Sequence, residues 1–256
     1  MPNKSLGQHW LTDRKILSHI ANQANLTTED TVLEIGPGLG TLTSVLLASA
    51  KQVVAVEFDE SIAKKLPKQF PGKNLTVYHS DILSFDLSLM PKNYKVVANI
   101  PYYITGKIIQ LLLTAKNKPT VTTLLVQKEV AERLAAKPGE MSIMAISTQI
   151  FAEVFLGEIV SADFFTPPPK VDSRVVTLKT RRQPLIDVAK QKEFFRFVKA
   201  GFSAKRKKLR SSLSGGLGIT KNEVENLLNA ANIDPNLRAE DLSLYQWVNI
   251  LNRYEQ

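Results

Sequence analysis

The sequence predicts a doubly wound α/β domain, with a mostly parallel sheet and an antiparallel end, followed by a small helical C-terminal domain. Three observations carry that reading. From Thr31 onward, short β-branched runs alternate with helix-like stretches. The runs are nearly continuous apolar segments, as strands covered on both faces must be. Past Arg181-Arg182-Gln183-Pro184 the alternation stops and every segment is helix-like.

Taken in order, Thr31–Ile35, Gln52–Glu57, Leu75–His79, Tyr94–Ala98 and Val121–Gln127 read as strands. Thr41–Ser49, Glu60–Gln69, Thr105–Thr114 and Lys128–Ala136 read as the helices between them, which implies right-handed βαβ units. Met141–Ile150 reads as a further helix. Glu153–Val160 and Arg174–Leu178 are extended runs around the Pro-rich Phe164–Lys170, a hairpin that would end the sheet in antiparallel pairing. Gln191–Lys208, Lys221–Ala230 and Leu242–Tyr254 are helix-like, with turns at Gly215-Gly216, Asp234-Pro235 and around Glu240. The expected domains are therefore residues 1–182, holding the catalytic machinery, and 183–256, a helical domain that binds the substrate.

Composition narrows the function. The 256 residues are 44% hydrophobic, enough for a packed core rather than disorder. Cysteine is absent, which excludes disulfides, thiolate metal sites and cysteine nucleophiles and fits a reducing cytoplasm. His9, His19 and His79 share no ligand spacing, so no metal is expected. Met1–Ser5 leads into polar sequence without an apolar signal region, and no apolar span is long enough for a membrane. A formal charge of +9 and a pI near 9.6 fit a nucleic-acid partner.

The first strand runs straight into Glu34-Ile35-Gly36-Pro37-Gly38-Leu39-Gly40, with a helix beginning at Thr41. Glycines here allow a sharp bend and a close ligand approach, and at a topological switch point this is a nucleotide-cofactor site. Gly36, Gly38 and Gly40 are spaced Gly-x-Gly-x-Gly, not Gly-x-Gly-x-x-Gly. That favours S-adenosylmethionine, which has no pyrophosphate to place on a helix N-terminus. Glu57 ends the second strand, where a carboxylate can take both ribose hydroxyls, a feature nicotinamide enzymes share. Asp81, followed by Ile82, can accept from the cofactor's adenine amine. The bland alternative is a tight turn with solvated acids.

The fourth strand ends in Asn99-Ile100-Pro101-Tyr102. The N6 amine of adenine is a poor nucleophile because its lone pair is delocalised into the ring. The Asn99 oxygen and the Ile100 or Pro101 carbonyl can accept its two N–H bonds and turn the lone pair toward a methyl donor. Such contacts strengthen as charge develops on nitrogen. Tyr102 can stack on the base, a contact worth about 1–3 kcal/mol. The alternative is a plain strand-ending turn.

With these motifs in place, the chain resembles the ribosomal RNA adenine N6,N6-dimethyltransferases, and within them the small-subunit (16S rRNA) branch. The likeness runs over Gly7–Leu11, Glu34–Gly40, Glu57, Asp81, Asn99–Tyr102, Gln127–Leu134, Phe165–Ser173 and Ala200–Leu213. It implies a Rossmann-like class I methyltransferase fold, S-adenosylmethionine as cofactor, and dimethylation of two adjacent adenosines near the 3′ end of that RNA during ribosome biogenesis. It further implies that His9 and Leu11 close over the cofactor and that Phe165 sandwiches the flipped adenine opposite Tyr102; core packing is the alternative for Phe165. The sequence departs from the family pattern at His9, where Asn is usual, at Trp10, where Phe is usual, and over Lys137–Ser142, which is shorter.

Lys199, Lys205, Arg206, Lys207, Lys208 and Arg210 form a basic run with Arg196, without a carboxylate among them. A charge run is usually a solvated face; here the expectation is RNA backbone binding, with a small-subunit precursor particle as partner. No long apolar seam suggests an obligate dimer, so a monomer is expected. Three rivals stay open: a large-subunit rRNA adenine methyltransferase of the macrolide-resistance type, a non-catalytic RNA-binding assembly factor, and a nicotinamide oxidoreductase.

Overall fold

The structure, a computed structural model, describes residues 9–255; the readings that fall on Met1–Ser5, Gly7 and Gln8 lie outside them. In chain order the elements are β1 (Trp10–Leu11), α1 (Arg14–Gln23), β2 (Thr31–Ile35), α2 (Thr41–Ser49), β3 (Gln52–Glu57), α3 (Glu60–Gln69) and β4 (Leu75–His79). Then come β5 (Lys95–Asn99), α4 (Thr105–Thr114), β6 (Val121–Gln127), α5 (Lys128–Leu134), α6 (Ile143–Gln149), β7 (Ala152–Val160), β8 (Phe165–Thr166) and β9 (Ser173–Thr180). Helices α7 (Gln191–Gly201), α8 (Leu209–Leu217), α9 (Lys221–Ala230) and α10 (Leu244–Tyr254) complete the chain.

Two compact units result. One takes in the described residues through Glu132 together with Ala152–Arg181; the other joins Arg133–Phe151 to the chain from Arg182 on. The break after Arg181 falls one residue from the expected one. The segment 133–151 differs: it belongs with the C-terminal helices, not with the sheet. Its tethers explain why, since Gly139 and Met141 both donate backbone N–H bonds to the Glu240 carbonyl, and Leu185 donates to Ile150.

In the first unit a seven-stranded sheet runs in the order β4-β3-β2-β5-β6-β9-β7. Strands β2 to β6 pair in parallel, and β9 pairs antiparallel with both β6 and β7. The chain winds outward one way from β2 and the other way from β5, so the crevice between their carboxyl ends is the switch point. The buried runs of β2, β3 and β5 follow from strands covered on both faces. A second, two-stranded sheet pairs β1 with β8, Trp10 opposite Thr166 and Leu11 opposite Phe165.

Sequence reasoning missed α1. Asp13 caps it by accepting from the Lys15 and Ile16 N–H groups, and Leu17, Ile20 and Ala21 repeat at helical spacing on its buried face. They join Leu42, Leu46, Val97 and Leu125 in the core; each fully buried Leu or Ile stabilises by about 1.5–3 kcal/mol.

In the helical unit the expected helix Gln191–Lys208 ends at Gly201, and a separate helix, α8, follows. Gly215-Gly216 is not a turn but lies inside α8, whose C-cap is Gly218 in the left-handed conformation at φ 74°. The physical reason is close helix packing: a Cβ on Gly216 would stand 2.6 Å from the Ala200 Cα of α7. No helix among the described residues is long and apolar enough to cross a membrane.

Candidate active site

A cavity of 430 Å³ opens at the carboxyl ends of β2, β3, β4 and β5. Each contributes what its strand end can hold in place. After β2 the backbone turns through Gly36 at φ 66° and Gly38 at φ 53°, a left-handed conformation that side chains resist, and the floor there carries no Cβ. Glu57, at the end of β3 and 5% exposed, accepts from the Gly38 N–H at 3.2 Å and from the Asp59 N–H at 2.9 Å. Asp81 follows β4; one of its oxygens accepts from the Leu83 N–H at 2.9 Å, and the other has no partner among the described residues. Ile82 and Leu83 supply apolar wall beside it.

Asn99 ends β5 and lines the same cavity. Its Nδ2 donates to the His9 carbonyl at 3.4 Å. A carbonyl can only accept, so this contact fixes which way the carboxamide points and leaves Oδ1 as the acceptor not engaged with it. The turn that follows is braced: the Ile104 N–H donates to the Pro101 carbonyl at 3.3 Å, and the Thr105 hydroxyl donates to the Tyr102 carbonyl at 3.0 Å. The Tyr102 hydroxyl meets the Ser173 hydroxyl at 2.6 Å, and burial holds the phenol above its ordinary pKa, so it keeps its proton.

His9 and Leu11 also line the cavity. His9 Nδ1 lies 2.7 Å from the Pro167 carbonyl and must be the donor there; its ring lies nearly parallel to Tyr102, the centroids 6.0 Å apart. The Leu11 carbonyl accepts from the Thr41 hydroxyl at 2.8 Å. The β1 segment is thereby fastened to both the glycine turn and the Pro-rich loop.

A model of the family described as ribosomal RNA adenine dimethylase matches residues 2–256. The chain belongs to that family. Among its relatives, the ribosomal RNA small subunit methyltransferase A of Dehalococcoides mccartyi is 41% identical over 98% of this chain and 88% of its own length. The protein of the same name from Nostoc sp. is 42% identical over 98% and 97%. A dimethyladenosine transferase from Plasmodium falciparum has a similar solved structure, with TM-score 0.84, 27% identity and coverage of 96% and 98%. The 23S rRNA methyltransferase ErmE gives TM-score 0.80, 30% identity and coverage of 96% and 100%.

Members of the rRNA adenine dimethylase family are S-adenosylmethionine-dependent methyltransferases with a class I Rossmann-like fold, and the cavity suits that cofactor. Glu57 and Asp81 offer carboxylates to hydroxyl and amine donors, and bare glycine backbone leaves room beside them. The buried indole N–H of Trp10, in the cavity wall near Gly38, has no partner among the described residues. Glu34 is 1% exposed and accepts from the Thr43 hydroxyl at 2.6 Å. Burial, with the charge of Glu57 adding to it, pushes its carboxyl up to about 8, so it stands neutral at pH 7.

Two expected site residues are corrected. Gly40 does not line the cavity; a Cβ there would come within 2.8 Å of Leu66 and 3.0 Å of Phe70, so its absence lets α3 pack close. Phe165 is 3% exposed and sits in the core with Leu11, Leu17 and Ile20, its direction fixed by the pairing of β8 with β1. It is not a wall of the cavity. The sequence reading overlooked Phe58, Leu39, Tyr103 and Lys107, all of which line it. Phe58 was findable, because it directly follows Glu57; the tie from Tyr102 to Ser173 spans 71 positions and leaves no local trace.

The basic run lies in the helical unit. Lys199, Lys205, Arg206, Lys207 and Lys208 are exposed. Two cations that looked unpaired have carboxylate partners from outside the run: Arg210 pairs with Glu225 and Arg196 with Glu193. Lys208 donates to Asn236 at 2.9 Å.

Proposed function

We propose that this protein dimethylates the N6 amines of two adjacent adenosines near the 3′ end of small-subunit (16S) rRNA, acting in the cytoplasm as a monomer on a precursor of the small subunit. The observation that carries this reading is one cavity shared by the Gly36–Gly38 turn, Glu57, Asp81 and the Asn99–Tyr102 turn. Relatives about 40% identical across nearly the whole chain are named for the small subunit, and the absence of cysteine fits a reducing compartment.

Glu57, Asp81 and Ile82, with Glu34, Gly36, Gly38, His9, Leu11 and Asn99, would hold the cofactor. When bound, S-adenosylmethionine supplies an electrophilic methyl group on a sulfonium. The RNA presents an unstacked adenine, at a cost of a few kcal/mol. Tyr102 takes one face of the base. Asn99 Oδ1 accepts one N6–H and the carbonyl of Ile100 or Pro101 the other, which aims the nitrogen lone pair and steadies its growing positive charge. As the N–CH3 bond forms the S–CH3 bond would break, leaving S-adenosylhomocysteine, and the charged nitrogen would lose one proton to solvent; a single N–H then remains, and either acceptor can still hold it, so the same turn serves the second transfer. Lys199, Lys205, Arg206, Lys207, Lys208 and Arg210 would bind RNA phosphates.

The likeness to ErmE favours one second reading, methylation of large-subunit RNA. Incubating the protein and labelled cofactor with unmethylated small and large subunits separates the two. Label in small-subunit RNA alone is expected; label confined to large-subunit RNA would replace the proposal with its rival.

A further inference from the structure

A base held in the cavity leaves its two neighbours at the mouth, so the rim is where the flanking nucleotides must lie. Three exposed large hydrophobic side chains, Leu39, Phe58 and Tyr103, border it. Tyr103 is 69% exposed, the most exposed large hydrophobic side chain among the described residues of its unit, although it borders the cavity directly. Its hydroxyl has no hydrogen-bond partner among the described residues, and most of its surface is open to solvent. One turn further on, Lys107 borders the same mouth, exposed and without a carboxylate partner among the described residues. A single exposed aromatic needs no explanation. An exposed ring directly beside the Asn99–Tyr102 turn, with an exposed ammonium four residues later, has the chemistry of a single-strand nucleotide site: a stacking face and a phosphate partner.

We propose that Tyr103 and Lys107 form a subsite for the nucleotide adjacent to the target, Tyr103 stacking on its base and Lys107 pairing with the intervening phosphate. The inference rests on the RNA adenine reading of the cavity. Stacking reads no base edge, so this subsite accepts an adenine before or after its own methylation, as a substrate with two adjacent targets requires. The base in the cavity and its neighbour are thereby held as a splayed dinucleotide, with Tyr102 and Tyr103 contacting successive bases.

The test is methyl transfer to RNA in unmethylated small subunits by the full-length protein and its Tyr103→Ala, Tyr103→Phe and Lys107→Gln variants, with cofactor affinity measured in parallel to confirm intact folding. Tyr103→Ala is expected to raise KM for the RNA roughly tenfold, with the loss in KM rather than kcat. Tyr103→Phe should restore the wild-type KM, because the ring and not the hydroxyl makes the contact. Lys107→Gln should raise KM several-fold and flatten its dependence on salt. A wild-type KM for Tyr103→Ala, or a loss in Tyr103→Phe equal to that in Tyr103→Ala, overturns the subsite and leaves the methyltransferase reading standing. No transfer by the unaltered protein to either ribosomal RNA overturns both.

Discussion

The sheet unit and the helical unit hold their functional groups by opposite means. In the first, Glu57, Asp81 and Asn99 project from strand ends, and backbone N–H groups and a carbonyl hold their side chains in place. In the second, Lys205, Arg206 and Lys207 stand on a solvated surface, and their long side chains are restrained by little beyond their own rotamers. Chemistry that turns a lone pair toward a methyl group needs the former, since a small misplacement costs orders of magnitude in rate. Attraction to a polyanion needs only charge in the right region. Substitutions in the sheet unit should therefore produce steep effects on one step, and substitutions on the helical surface graded effects on affinity.

The largest expected effect is at Asn99. Asn99→Ala should lower methyl transfer by about 10²–10³-fold, the usual consequence of removing one preorganised transition-state contact, while calorimetry finds cofactor affinity within a few-fold of the wild type. Near-normal turnover would break the contrast at its sharpest point. Next comes Glu34, through pH. Its carboxyl is held up at about 8 in the fold, against an ordinary 4.5, so the folded state favours the neutral form. That contribution is complete below about pH 4.5 and is lost as pH climbs through about 8. Thermal melts should show the protein losing on the order of a few kcal/mol over that window, and Glu34→Gln should flatten the slope.

Two further changes sharpen the helical side. Gly216→Ala should cost about 1–3 kcal/mol by forcing α8 away from Ala200, whereas Gly215→Ala, with nothing within 4 Å of the added methyl, should gain about 0.5–1 kcal/mol from helix propensity. Equal melting temperatures for the two variants would remove the close-packing account of α8. The smallest effect belongs to the surface charges. Neutralising Lys205, Arg206 and Lys207 together should weaken RNA binding by about tenfold and reduce the salt slope by roughly two to three. Adding Arg210→Gln should do less than a fourth free cation would, because Glu225 already pairs with it.

The same contrast explains what was legible in the sequence. Strands β2, β3, β5 and β6 could be read because each is a short, largely apolar run, and α3 because Asp59 caps it and Ala63 and Leu66 recur on its buried face, so local chemistry and tertiary position agree. That Glu34–Leu39, Glu57, Asp81 and Asn99 would border one cavity was readable because a parallel sheet delivers its strand ends to one edge. What escaped was decided by distant partners. Gly40 looked like part of the ligand turn, but Leu66 and Phe70 require it. Phe165 resembled a base-stacking ring until β8 paired with β1 and turned it inward. Gly215-Gly216 had the composition of a turn, yet α7 packs so near that only glycine fits inside that helix. Segment 133–151 precedes two strands of the sheet but is tied by its backbone to Glu240.

The claim beneath all of this is that the Asn99 turn selects the exocyclic amine of adenine. Mass spectrometry of nucleosides released from small-subunit RNA, after incubation with the protein and labelled cofactor, addresses it directly. The label is expected in N6,N6-dimethyladenosine, with N6-monomethyladenosine as a transient precursor. Label on a ring nitrogen, on a ribose hydroxyl or on another base would contradict it.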